Sequence, residues 1–145
     1  MNKTVVMTLR LPESVGQSVE RLAIRLGHKP AHLGARFVEE GVRRRQFPFI
    51  DLRETASGRV AYVRSTRFTA YWIVQAVGRL KGNVERAAKI WDLPADKVRA
   101  ALHYAEAYPE EIDSDIAQAE ASRSSLIKAE RSLQNAGNLA KENKA

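Results

Sequence analysis

The chain has 145 residues, 44% of them hydrophobic and none of them cysteine. That leaves room for one ordinary domain or two very small ones, and it excludes a large enzyme fold, a disulfide framework and a thiolate metal site. Twenty-four Lys and Arg against seventeen Asp and Glu give a formal charge of +7, graded from nine basic and four acidic residues over 1–48, through ten and six over 49–108, to five and seven over 109–145, so a polyanionic partner is expected at the front of the chain.

Val5, Met7, Leu9 and Leu11 alternate with Val6, Thr8 and Arg10, which is the two-residue period of a half-buried strand. The opening Met1-Asn2-Lys3-Thr4 does not lead into a signal-peptide stretch. Residues 70–77, the longest apolar run, are interrupted by Gln75 and fall far short of the roughly 20 residues of a membrane span. The expected setting is cytoplasmic and nucleoid-associated, with no membrane partner.

Pro12-Glu13 opens a helix through Val15, Val19, Leu22, Ala23 and Leu26, and Gly27 stands where a left-handed cap belongs. A second helix is predicted from Pro30 through Leu33, Phe37, Val38 and Val42, ending in Arg43-Arg44-Arg45 beside its negative pole. One strand and two helices in so few residues seldom form a stable core alone. A second copy pairing strand to strand across a two-fold axis is therefore expected, giving a homodimer or a higher even oligomer.

Phe47-Pro48 ends this unit. Residues 50–53 and 60–63 read as strands around Ala56-Ser57-Gly58, and Ser65-Thr66 leads toward a helix through Trp72, Ile73, Val77 and Leu80. Gly82-Asn83 breaks that helix. Two more follow, over 84–91 and 95–108, joined by Asp92-Leu93-Pro94, an arrangement of the helix-turn-helix kind with the hairpin as a small wing. The outward set of the last helix, Asp96, Lys97, Arg99, Ala100, His103 and Glu106, mixes signs and favours protein contact over groove binding. Tyr71, Trp72 and Trp91 read as core rather than as a base-stacking platform.

From Pro109 onward aromatics vanish, and Ile112, Ile116, Ala119, Leu126, Ile127 and Leu133 form a thin stripe that predicts one long helix incomplete without a partner. Residues 135–145 are polar and are expected to fray. The fold class is mainly α, with a ribbon-helix-helix unit over 1–48, a small winged-helix-turn-helix-like module over 49–108, and a C-terminal helix and flexible tail over 109–145.

Thr8-Leu9-Arg10-Leu11-Pro12, the helix after it, Gly27 and the second helix resemble the ribbon-helix-helix DNA-binding family over roughly residues 3–46. The resemblance implies an antiparallel two-chain ribbon in the major groove. Val6, Thr8 and Arg10, with Thr4 at the ribbon's end, would then read bases, and Met7, Leu9, Leu11, Leu33 and Phe37 would form the dimer core. The chemistry fits on its own terms: Arg donates two bonds to guanine, a Thr hydroxyl pairs with several bases, and Val meets a thymine methyl. Where the family usually has a Ser or Thr cap holding a phosphate at the second helix, this sequence has Lys29 and Pro30. The remaining phosphate candidates are Lys29, the N–H groups of Ala31 and His32, and Arg43, Arg44 and Arg45.

Gly58-Arg59, the stretch Val63-Arg64-Ser65-Thr66-Arg67-Phe68, and Val98-Arg99-Ala100-Ala101-Leu102-His103-Tyr104-Ala105 make the middle segment similar to the family catalogued as domain of unknown function 433, found in antitoxins. That resemblance implies an operator-binding antitoxin of a bacterial type II toxin-antitoxin system, with a PIN-like ribonuclease toxin as partner. Ile112, Ile116, Leu126, Ile127 and Leu133 would then lie in a toxin groove, with Arg123, Lys128 and Arg131 blocking the toxin's metal-binding carboxylates. The competing readings are a stand-alone dimeric transcription regulator with no toxin and an assembly protein that organises DNA.

His28 and His32 are four residues apart but lack a third ligand, and Pro30 starts a helix between them, so no metal site is expected. Glu110, Glu111, Asp113 and Asp115 complement a helix dipole more simply than they hold Mg²⁺. No nucleophile elbow, phosphate-binding loop or His-Glu-x-x-His helix is present. No enzyme activity, catalytic residue or cofactor is expected.

Overall fold

The computed structural model describes residues 3–142. Among these the chain forms six helices and one two-stranded antiparallel sheet, and no helix is long and apolar enough to cross a membrane. They fall into two compact units that divide between Gln46 and Phe47.

In the first unit residues 3–12 belong to no helix or strand and are exposed throughout. No strand forms there in the single chain: Val5, Met7, Leu9 and Leu11 are all exposed, at 80%, 71%, 52% and 52%, beside 92% at Val6. Helix α1 (Glu13–Leu26) starts behind Pro12, whose carbonyl accepts from the N–H groups of Val15 and Gly16 at 3.0 Å each. It stops at Gly27, where a φ of 67° turns the chain left-handed and lets His28 N–H return to the Ala23 carbonyl at 2.9 Å. Helix α2 (Pro30–Gln46) packs back on α1. Ala23 and Leu33 are the apolar residues of this unit that reach full burial, so most of its hydrophobic surface is left unspent.

In the second unit β1 (Ile50–Thr55) pairs with β2 (Gly58–Val63) in a register running from Ile50 opposite Val63 to Thr55 opposite Gly58. Ser65-Thr66 precedes the expected helix without starting it. Thr66 Oγ1 instead donates to the Val63 carbonyl (2.8 Å) and accepts from Phe68 N–H (3.1 Å), closing a turn. Helix α3 (Ala70–Arg79) begins four residues later under Thr69, whose hydroxyl accepts from Trp72 N–H at 3.2 Å. Helix α4 (Val84–Trp91) is capped in the same way by Asn83, and Asp92 in the left-handed region turns the chain into α5 (Ala95–Ala107).

The core of this unit gathers Ile50, Leu52, Val63, Ile73, Val98 and Tyr104 with Ile112. Tyr104 meets Phe47 edge-on at 5.2 Å and donates its hydroxyl to Glu111 at 2.5 Å. Ile112 and Glu111 belong to the last helix, α6 (Pro109–Glu142). The boundary expected at residue 109 is therefore replaced: the first turns of α6 complete the second unit, and side chains 120–138 are exposed. Fraying was expected over 135–145, but α6 continues through Glu142, and residues 143–145 lie outside the described ones.

Candidate functional site

In the first unit the segment before α1 and the two helices enclose an open trough of about 820 Å³, walled by Leu9, Leu11, Gly16, Val19, Gly34 and Val38 among others. Val6 is 92% exposed and Met7 71%, exposures that apolar side chains rarely keep in a finished interior. Thr4, Thr8 and Arg10 are also exposed, with Val6 and Thr8 bordering the trough, and Arg10 has no ion-pair partner among the described residues. Leu33 is buried between the helices while Phe37 stays 38% exposed.

At the start of α2 the first backbone bond runs from Leu33 N–H to the Lys29 carbonyl at 3.1 Å. The N–H groups of Ala31 and His32 precede it and have no place in the helical ladder. Lys29, Ala31 and His32 are all exposed. The three arginines at the other end part company: Arg44 and Arg45 are exposed, whereas Arg43 folds back on Glu39 one turn earlier and keeps only 14% of its side chain in solvent. In the single chain Arg43 is thus paired with Glu39, whose side chain is 58% exposed.

In the second unit Arg99 bridges Asp96 (3.1 Å) and Glu85, tying α5 to α4. Lys97 Nζ donates to the Arg64 carbonyl at 3.0 Å, and His103 lies 3.8 Å from Glu106. The outer face of α5 thus has much of its positive charge engaged locally, which weakens it as a phosphate surface. Trp72 stacks on Phe68 at 4.7 Å and meets Trp91 edge-on at 5.1 Å. These rings are half-buried and pack on one another.

On α6 the residues named for a partner separate into two groups. Ile112 is 3% exposed and Ile116 is packed against the same core. Both are corrected from partner-binding to structural, because α5 and α3 already cover this part of the helix. Arg123, Leu126, Ile127, Lys128, Arg131 and Leu133 are exposed, with Leu126 at 66% and Leu133 at 73%.

Sequence reasoning missed a further constellation. Asp115, placed beyond the first turn of α6, lies with Thr55, Tyr62, Tyr71, Arg123 and Leu126 around a pocket of about 400 Å³. Burial, with Glu111 nearby, pushes the Asp115 carboxyl up to about 6. No sequence signal links a helical aspartate to two tyrosines more than 40 residues away; only the fold brings them together. No family model, curated protein or solved structure matches the chain, so the functional reading rests on the residues and their geometry.

Proposed function

We propose that the chain is a dimeric DNA-binding antitoxin. It pairs with a second copy through residues 3–12, lays the resulting ribbon in the major groove of its operator, and holds a PIN-like ribonuclease toxin with the exposed part of α6. One observation carries the reading: residues 3–12, with alternating polar and apolar side chains, lie exposed and in no strand beside an open apolar trough, in a unit whose own helices bury little more than Ala23 and Leu33. A second copy would satisfy the free backbone groups and the bare hydrophobic surface together.

In that assembly Met7, Leu9 and Leu11 turn inward with Leu33 and Phe37. Val6, Thr8 and Arg10, with Thr4, face the bases. Lys29, the free N–H groups of Ala31 and His32, and Arg44 and Arg45 meet phosphates, which position the dimer without selecting sequence. The α4–turn–α5 arrangement acts as a protein-facing helix-turn-helix module. Along α6 the toxin covers Leu126, Ile127 and Leu133, while Arg123, Lys128 and Arg131 approach the carboxylates that would hold its catalytic metal.

Electrophoretic shift with the chain's own promoter fragment tests the ribbon. Arg10→Ala should weaken operator binding by about 1–3 kcal/mol and relax base preference at one position of each half-site. Unchanged affinity and unchanged preference would remove the ribbon from the interface. Co-expression with the adjoining reading frame tests the toxin: a stand-alone regulator would repress its promoter and neutralise nothing.

A further inference from the structure

Between the hairpin and α6 lies the pocket of about 400 Å³, which neither the DNA contacts nor the exposed arm uses. One wall is a single stripe of α6, with Asp115, Ala119, Ser122 and Leu126 spaced by three and four residues. The opposite wall carries Tyr62 and Tyr71. Gln118 Nε2 donates to the Ser57 carbonyl at 3.4 Å and ties the hairpin turn to the helix beside the pocket. Asp115 Oδ2 is closed off from solvent and has no hydrogen-bond partner among the described residues. A buried carboxylate oxygen without a donor is costly, and Arg123, which lines the same pocket, forms no ion pair with it.

We infer that this pocket receives an arginine side chain of the protein held along α6, with its guanidinium on Asp115 and its aliphatic stem against Tyr62, Tyr71 and Leu126. The charge is complementary to the Asp115 carboxylate, whose Oδ2 has no hydrogen-bond partner among the described residues. The lining matches a side chain with an apolar stem and a planar cationic head, which can stack on a tyrosine ring while bonding a carboxylate. The position is continuous with the exposed stripe of α6, since Leu126 borders the pocket and Leu133 follows two turns later. The identity of the partner rests on the arm reading given above; the chemistry of the pocket does not.

The test is an amide NMR titration of the full chain near pH 7.5 with N-acetyl-arginine amide, and with N-acetyl-norleucine amide as a neutral probe of similar stem. The arginine probe should shift Tyr62, Asp115 and Gln118 saturably with an affinity of about millimolar, and Asp115→Asn should weaken it about tenfold. Binding should also fade as pH falls through about 6, where Asp115 takes up its proton; Glu111, Arg123, Tyr62 and Tyr71 are the other charged or titratable groups about it. Equal shifts from the neutral probe, equal binding by the Asn variant, or no saturable shift at these residues would overturn the inference. Partner capture separates it from the arm reading. If removing residues 128–145, which leaves the pocket wall through Leu126 in place, abolishes capture while Asp115→Asn leaves partner affinity unchanged, the pocket assignment falls and the arm stands. If the shortened chain still captures the partner while the probe binds through Asp115, the arm falls and the pocket stands.

Discussion

Asp115 shows how a single side chain can carry a cost that the rest of the fold tolerates. Its carboxyl is raised from 3.8 to about 6 by burial and by Glu111, so folding favours the protonated form. The sign follows: its stabilising contribution is complete below the unfolded value and is lost as pH rises through about 6, above which the ionised group opposes folding. Asp115→Asn should therefore melt at a higher temperature than the parent near neutral pH, with the difference shrinking toward pH 4. Thermal unfolding followed by circular dichroism across that range checks it, and a pH-independent difference would refute the assignment. Not all residues are equally legible. Gly27 is readable as a helix cap from its place after an apolar repeat, and its φ of 67° agrees. Asp115 is not readable, because its environment is made by the hairpin and α3, which are distant in sequence.

At the scale of elements, sequence periodicity locates α1, α2, α4 and α5 well, since each combines an amphipathic stripe with a local punctuation mark: Pro12 and Gly27, Pro30, Asn83, and Asp92 with Pro94. It does not fix the start of α3, because Ser65, Thr66 and Thr69 are all acceptable caps by residue type. Tertiary geometry decides among them by using Thr66 to close a turn onto Val63. It also misassigns the front of α6. Ile112 and Ile127 are equally apolar as residues, yet one is buried against α5 and α3 while the other is 42% exposed. This difference sets where the chain can be cut. Ending it after Glu120 should leave the second unit folded and operator binding intact while abolishing toxin neutralisation. Ending it after Tyr108 removes Ile112 and the carboxylate that receives the Tyr104 hydroxyl; a buried aliphatic lost in this way costs about 2–5 kcal/mol. Comparison of the two truncations by thermal melting and by co-expression with the toxin gene would check both expectations. Similar melting of the two would mean that the base of α6 is not structural.

For the whole molecule, the uneven distribution of core between the two units sets the final expectation. The second unit has a contiguous interior from Phe47 to Ile112 and should melt cooperatively at any concentration. The first has two helices, an exposed segment in no strand and an apolar trough open to solvent, so in the proposed assembly its stability is tied to association and must depend on protomer concentration. Met7→Glu places a charge where the two ribbons would meet the helices, and a buried charge without a partner costs several kcal/mol. The variant should sediment as a monomer, lose operator binding altogether and leave the melting of the second unit unchanged. Arg10→Ala should instead remain dimeric and lose only affinity and base preference, because its side chain points away from the trough in a paired ribbon. Analytical ultracentrifugation beside the electrophoretic shift separates the two variants. If Met7→Glu stays dimeric, the two-fold contact lies elsewhere on the molecule, and the graded charge of the chain would need a different DNA-facing surface.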